Sequence, residues 1–316
     1  MLKTILITGG TGTFGSKLLK TISKNNNFKK IIIFSRDETK QFDLKQKYSP
    51  NKKFFNKLRF FIGDVRDKER IYKALKGVDI VVHSAALKHI NATEYNPDEC
   101  IKTNILGSQN LIDSCVNSNV KKCLLISTDK AVNPVNLYGA TKLCAEKLFV
   151  SANYLGLSKT KFSVLRYGNV FESRGSIFEI LKRKNNIKIT DPNMTRFHLT
   201  QDEAINCSFS SLHNMIGGEI FVPKLKSYRL GHLLKIYQDK KFSFIGKQRG
   251  EKIHESLISN DESMNIFEDK KFYILTNDSK YKKMKKTLIQ NYNSSLASNL
   301  LNISELKKIL KANNEI

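Results

Sequence analysis

Lys3-Thr-Ile-Leu-Ile-Thr8, followed at once by Gly9-Gly10-Thr11-Gly12-Thr13-Phe14-Gly15, is the stretch that decides the fold of this chain. The first six residues are a short apolar run rich in β-branched side chains. The run reads as a buried strand, and the glycines as its exit turn. Gly9, Gly12 and Gly15 are spaced three apart, so the backbone can turn tightly, approach a pyrophosphate, and let the next helix (14–23) pack on the strand. A phosphate would sit on that helix's N-terminus. A dinucleotide site is therefore expected at Gly9, Thr11, Gly12, Thr13, Phe14 and Gly15.

Outward from this unit, strand and helix signals alternate to about residue 166. Residues 30–34, 58–62, 79–83, 120–127 and 161–166 read as strands, and 98–117 as the long helix before the fifth. Such alternation predicts an α/β fold, a Rossmann-like doubly wound parallel sheet, over residues 1–167. After Gly168-Asn169-Val170 the pattern loosens into a helix at 201–215, a strand at 219–222 and a helix at 229–237. Residues 168–316 are expected to form mainly a smaller C-terminal substrate-binding lobe with a tail, draped over the carboxyl ends of the strands.

The second strand runs into Ser35-Arg36-Asp37-Glu38-Thr39-Lys40, where a Rossmann domain meets the adenosine ribose. A carboxylate there suits the ribose hydroxyls of NAD, whereas Arg36 with Ser35 and Lys40 suits the 2′-phosphate of NADP. NADP is the expectation, with Asp37 as the feature that pulls the other way. Asp64, with Val65 after the third strand, is placed for the adenine. Small Ala85 and Ala86 after the fourth admit the middle of the cofactor. His89, in the same loop, reads as structural or substrate-side.

The chain has 316 residues, 40% of them hydrophobic, enough for one large core and a small second lobe. No stretch approaches the roughly 18 to 20 apolar residues that span a bilayer, and no signal-peptide pattern precedes the first strand. A cytoplasmic protein without membrane insertion is expected. Its five cysteines are scattered without metal-ligand spacing, so core thiols and no metal site are expected. The net charge of +25 is spread along the chain as lysine, without aromatic interleaving or an RNA-binding motif, which argues against nucleic acid. The densest lysine clusters, 280–286 and 306–310, read as solvated helix faces. A basic field would still attract an anionic nucleotide sugar.

Residues 127–142 read Ser127-Thr128-Asp129-Lys130-Ala-Val-Asn133-Pro134-Val-Asn-Leu-Tyr138-Gly139-Ala-Thr-Lys142. Tyr138 and Lys142 are four apart in a segment that reads as a helix (138–151), so they share a face. The ammonium is expected to lower the phenol from its ordinary ~10 and make it a base at neutral pH. Beside this redox pair, Asp129 and Lys130 offer an acid/base pair. The combination suits an enzyme that oxidises a sugar briefly in order to eliminate water from it.

These segments together, with Gly63-Asp-Val-Arg-Asp67, Glu94-Tyr-Asn-Pro97, Arg166-Tyr-Gly-Asn-Val170, Ser173-Arg-Gly-Ser176, Thr190-Asp191, Met194-Thr-Arg-Phe197 and Gly217-Gly-Glu-Ile-Phe-Val-Pro223, resemble the extended short-chain dehydrogenase/reductases. More narrowly, the chain is similar to the inverting UDP-N-acetylglucosamine 4,6-dehydratases of surface-glycan pathways, from about residue 2 to 265. The resemblance implies Asp129 as the acid, Lys130 as the base and Thr128 as holder of the 4-hydroxyl, with Tyr138 and Lys142 as the redox pair. It implies UDP-N-acetylglucosamine as substrate and a homo-oligomer. It also implies cofactor contacts from Lys88 and Val170, and substrate contacts from Lys88, Asn169, Ser173, Arg174, Gly175, Thr190, Met194 and Arg196. Family members read Arg-x-Gly-Glu-Lys near the end of this lobe. Here Gln248-Arg249-Gly250-Glu251-Lys252 carries the arginine one position later, so either Arg249 reaches the diphosphate through a shifted loop or that contact is lost and affinity drops; Arg249 and Glu251 are expected among the substrate contacts.

As a base, Lys130 must be neutral, which requires its pKa to fall from about 10.4 toward 7. Asp129 opposes that fall if ionised, so a protonated Asp129 is expected when substrate is bound. Two other readings remain. A nucleotide-sugar 4-epimerase would share Tyr138 and Lys142 but needs no elimination pair. A non-catalytic nucleotide-binding or nucleic-acid-binding protein would need neither pair.

Overall fold

The computed structural model describes residues 3–25, 27–154, 159–171, 176–262 and 265–313. Six parallel strands, β1 (Lys3–Thr8), β2 (Phe28–Ser35), β3 (Leu58–Ile62), β4 (Ile80–His83), β5 (Lys122–Thr128) and β6 (Lys161–Tyr167), lie in the order 3-2-1-4-5-6. This is the doubly wound arrangement expected from the alternating pattern, and its strand order reverses between β1 and β4, where such sheets bind ligands. The strands read as apolar runs because helices cover both faces. Ile5, Ile7, Ile31 and Ile33 face Leu18, Leu19 and Ile22 of the Thr13–Asn25 helix. Leu6, Ile32, Phe34 and Val81 face Leu111, Ile112 and Phe149 on the other side.

The division expected at residue 167 is not a clean cut. The Ile220–Pro223 strand returns to lie parallel to β6, and Phe272–Leu275, Ile266–Glu268 and Lys285–Thr287 add antiparallel strands beyond it, giving a ten-stranded sheet. Without them the β6 edge would expose unpaired backbone groups. The smaller lobe has its own core, in which Phe178, Ile187, Met194 and Tyr228 pack with Leu306 and Leu310 of the Ile303–Ala312 helix. Lysines of that helix are exposed, as its sequence predicts. The 280–286 cluster is instead a 3-10 turn and a short strand, because Tyr281 is drawn into the core while its lysine neighbours face outward. Cys100, Cys115 and Cys123 are buried, but Cys144 is exposed.

The helix expected over 98–117 is broken by a π-turn at Lys102–Leu106. Asn104, inside it, accepts from Leu87 N at 2.8 Å and donates to Leu87 O at 2.9 Å and to Thr141 Oγ1 at 3.0 Å. The wider turn lets one amide tie the loop after β4 to the helix that carries Tyr138.

Candidate active site

The glycine turn after β1 is built to let another molecule approach. Gly9 has φ +65°, and a Cβ there would stand 2.9 Å from Ala85 N. A Cβ on Gly15 would meet Gly10 Cα at 2.5 Å, so only glycine lets the Thr13–Asn25 helix start this close to the strand. The first turn of that helix carries no acidic side chain, leaving its N–H groups and positive end for a phosphate. Thr11 Oγ1 lies 2.7 Å from Ser35 Oγ, joining this turn to the end of β2. The residues present therefore fit a dinucleotide.

At the ribose end the two cations read as phosphate-binding are paired with carboxylates. Arg36 is 3.5 Å from Asp64, and Lys40 is bonded to Asp37, which also caps the Glu38–Tyr48 helix. Asp64 further accepts from Arg66 Nη2 at 2.7 Å; burial raises its pKa, but the arginines outweigh that and hold it below the usual carboxylate range. Val65 is buried and Glu38 exposed. Ala85 and Ala86 line the loop after β4, and Lys88 and His89 are exposed further along it.

Thr128 ends β5 and starts the 3-10 turn Asp129–Ala131. Its hydroxyl donates to Asp129 Oδ1 at 3.0 Å, and Lys130 Nζ donates to the same oxygen at 3.0 Å and to Asn169 Oδ1 at 3.0 Å. The next helix, Leu137–Ser151, is capped by Asn136, whose Oδ1 accepts from Gly139 N at 2.8 Å while its Nδ2 donates to Gly250 O at 2.8 Å. One side chain thus starts the helix and anchors the lobe loop beside it. Tyr138 faces Thr128 and Lys130, both of which act to lower its pKa.

Two electrostatic expectations are corrected here. Lys142 Nζ donates to Ile126 O at 2.8 Å, and burial lowers it to about 8, against the pull of Glu146. Burial instead pushes the Tyr138 phenol up to about 12. In the ligand-free site Lys130 is held toward its charged form. Burial alone would lower it, but the charges of Asp129 and Glu255 outweigh burial and hold it above its ordinary value. Asp129, fully buried, is shifted upward by desolvation and by Glu255, against the Lys130 charge. Glu255 went unnoticed in the sequence; it carries no motif, and only its alternation with Leu257 in a short strand hints that it points inward.

In the smaller lobe, Thr190 Oγ1 donates to Met194 Sδ, and Arg196 donates to Thr195 O at 2.8 Å, to Ile253 O at 3.1 Å and to Met194 Sδ at 3.2 Å. These three residues are brought together on one wall, and Arg196 acts electrostatically on Lys130. Val170 bridges to Leu199. Ser173, Arg174 and Gly175 lie outside the described residues. Arg249 is exposed and lines a cavity of 370 Å³ with Glu94, Val135 and Leu137, which Lys130 and Tyr138 do not line. Glu251 folds back onto Gln248 N at 3.1 Å.

Residues 5–277 match the polysaccharide biosynthesis protein family. The chain is 48% identical over 281 residues to a UDP-N-acetylglucosamine 4,6-dehydratase (inverting) of Campylobacter jejuni, covering 87% of this chain and 83% of that one. It is 37% identical over 330 residues to a UDP-glucose 4-epimerase of Rickettsia akari, covering 98% and 95%. Among solved structures, Pen from Bacillus thuringiensis superposes with a TM-score of 0.91 at 34% identity, over 99% of this chain and 98% of that one.

Proposed function

The chain belongs to the polysaccharide biosynthesis protein family, and we propose that it is a nucleotide-sugar 4,6-dehydratase, a carbon–oxygen lyase that inverts carbon 5 of UDP-N-acetylglucosamine and uses NADP. The observation that carries this reading is the hydrogen-bonded chain Thr128–Asp129–Lys130 at the end of β5, facing Tyr138.

Gly9 to Gly15, Ser35 to Lys40, Asp64 and the Ala85–Ala86 loop would hold the dinucleotide. When bound, its oxidised nicotinamide would accept the hydride of carbon 4 and return it to carbon 6 once water has left, as a proton enters the opposite face of carbon 5, and its positive charge would favour the ionised phenol and the neutral amine. Thr128 holds the 4-hydroxyl, and Tyr138 takes its proton. The ketone at carbon 4 acidifies the proton on carbon 5, which Lys130 removes. Asp129, whose burial favours the protonated form, gives its proton to the departing 6-hydroxyl. Arg196 suits a substrate phosphate, since it is only half-buried on the wall it shares with Thr190 and Met194.

The 37% identity to an epimerase supports a second reading, interconversion at carbon 4. Tyr138 serves both reactions, but an epimerase leaves Asp129 and Lys130 without work. The NMR spectrum of the product from UDP-N-acetylglucosamine separates them. A 6-deoxy 4-keto sugar inverted at carbon 5 is expected; a 4-epimer with its 6-hydroxyl intact would sink the dehydratase reading. A homo-oligomer located in the cytoplasm accompanies this proposal. Among the described residues no helix is long and apolar enough to cross a membrane.

A further inference from the structure

Glu255 is 3% exposed and stands at the head of the Ser256–Ile258 strand. Its backbone is fixed from both sides by Ser294, whose Oγ accepts from Glu255 N at 3.0 Å and whose N donates to Glu255 O at 2.8 Å. Glu255 Oε1 lies 3.6 Å from Lys130 Nζ, and Oε2 has no hydrogen-bond partner among the described residues. Asp129 Oδ2 also lacks one. Buried carboxylate oxygens are ordinarily satisfied, so two open ones flanking a single ammonium mark a place where protons are received. The other charges facing this group are Arg196, from the Thr195–Phe197 strand, and Lys252, whose Nζ donates to Val132 O at 2.5 Å.

We propose that Glu255 is a positioning residue that receives the proton Lys130 must shed before it can act as a base. This rests on the dehydratase reading. In the resting pair Nζ carries three protons and Glu255 none. One Nζ–H bond breaks and one O–H bond forms on Glu255, so the ion pair becomes an amine and an acid and nothing is exchanged with solvent. Burial pushes toward that neutral pair, against the charges of Lys130, Arg196 and Lys252, which hold the Glu255 carboxyl below its ordinary value in the resting site; a bound nicotinamide's positive charge beside Lys130 would work with burial to shed the proton. The free electron pair on Nζ then bonds the carbon-5 proton. The C–H electrons expel the carbon-6 hydroxyl, which takes the Asp129 proton and leaves as water.

The test is the pH dependence of dehydrated-product formation and of solvent-deuterium entry at carbon 5, in the wild type, Glu255→Gln and Glu255→Asp. Tyr138 must ionise in every variant, so the readout is the difference in slope between them. The wild type is expected to climb less steeply than Glu255→Gln between about pH 7 and 9, since the Lys130 proton moves within the pair. In Glu255→Gln, Lys130 must release its proton to solvent. Its rate relative to wild type is expected to fall at least about tenfold at pH 7, and the gap to narrow by about tenfold per pH unit toward the ordinary lysine range. Glu255→Asp is expected to restore the wild-type slope at a lower rate. A loss in Glu255→Gln that is the same at every pH overturns the relay. A wild type that forms no dehydrated product at any pH overturns the dehydratase reading and the relay with it.

Discussion

Gly139 packs so closely on the Asp129–Ala131 turn that a Cβ on it would stand 2.1 Å from the carbonyl oxygen of Lys130. The helix bearing Tyr138 and the turn bearing Lys130 are therefore locked in one register by the absence of a single methyl group. Gly139→Ala should force them apart, lowering stability by about 1 to 3 kcal/mol, as for overpacking elsewhere. Turnover should fall at least about tenfold, because sub-ångström placement governs such sites. Thermal unfolding and product formation check this; a variant unchanged in both would show that the two elements do not meet as described.

Lys130→Ala keeps Tyr138 and Thr128, so carbon 4 can still be oxidised, but the base for carbon 5 is gone. Absorbance of reduced nicotinamide should rise on adding UDP-N-acetylglucosamine and persist, with product formation down by about 10² or more. Tyr138→Phe should show no such rise. Dehydrated sugar released by Lys130→Ala at the wild-type rate would remove Lys130 from the reaction.

Arg36 is held by Asp64 and stays more than half exposed, available to a 2′-phosphate. Arg36→Ala should weaken NADP by about 1.5 to 3 kcal/mol, the range of a charged hydrogen bond, and NAD much less. Calorimetry with both cofactors decides it, and equal losses would mean that Arg36 does not read the phosphate.

Arg249 and Gln248 compete for one role. If Arg249 holds the substrate diphosphate, Arg249→Ala should raise KM by the equivalent of about 1.5 to 3 kcal/mol with kcat little changed, while Gln248→Ala does little. Since Gln248 is tied to Glu251 and Arg249 points to a cavity lined by Glu94, the reverse ranking would place the diphosphate on the other side of this loop.

His83 is buried at the end of β4, its Nδ1 2.7 Å from Thr8 Oγ1 and its ring stacked on Phe149. Burial, with the Lys142 charge, lowers it to about 3 from 6.5. Between those values the unfolded chain binds the extra proton, so stability rises with pH and is lost on acidification below about 6.5. From pH 7 to pH 5 this one group should cost about 2 kcal/mol. Urea midpoints of wild type and His83→Asn at the two pH values test it: the variant should lose less on acidification, and parallel losses would contradict the assignment.

The parallel half of the sheet was legible because each of its signals is local: Ile5 to Ile7 and Ile31 to Ile33 are apolar runs, and Gly9 follows the first at once. The return of Ile220–Pro223 was legible as a strand but not as a neighbour of β6. Antiparallel strands such as Ile266–Glu268 are only three residues long, too short to show a period. At the site, Thr128, Asp129, Lys130 and Tyr138 stand within one stretch of sequence and were found together. The neighbours that set the charge on Lys130 were not legible, because Glu255 reaches it through the fold, from a segment with no motif. The bond of Lys142 to the carbonyl of Ile126 was not legible either, because spacing on a helix says which face a side chain shares, not which acceptor it finds.

The smaller lobe draws its core from Phe171, 177–194, 228–237 and 301–310, and between these stretches the chain goes back to the sheet. It is thus three inserts mounted on a continuous frame, and no single cut detaches it. Exchanging this lobe for that of a relative would need three coordinated grafts. Insertions and deletions within any one of them leave the strand order, and with it the dinucleotide turn, untouched. The lobe and the glycine turn after β1 are thereby free to change length independently of each other within one scaffold.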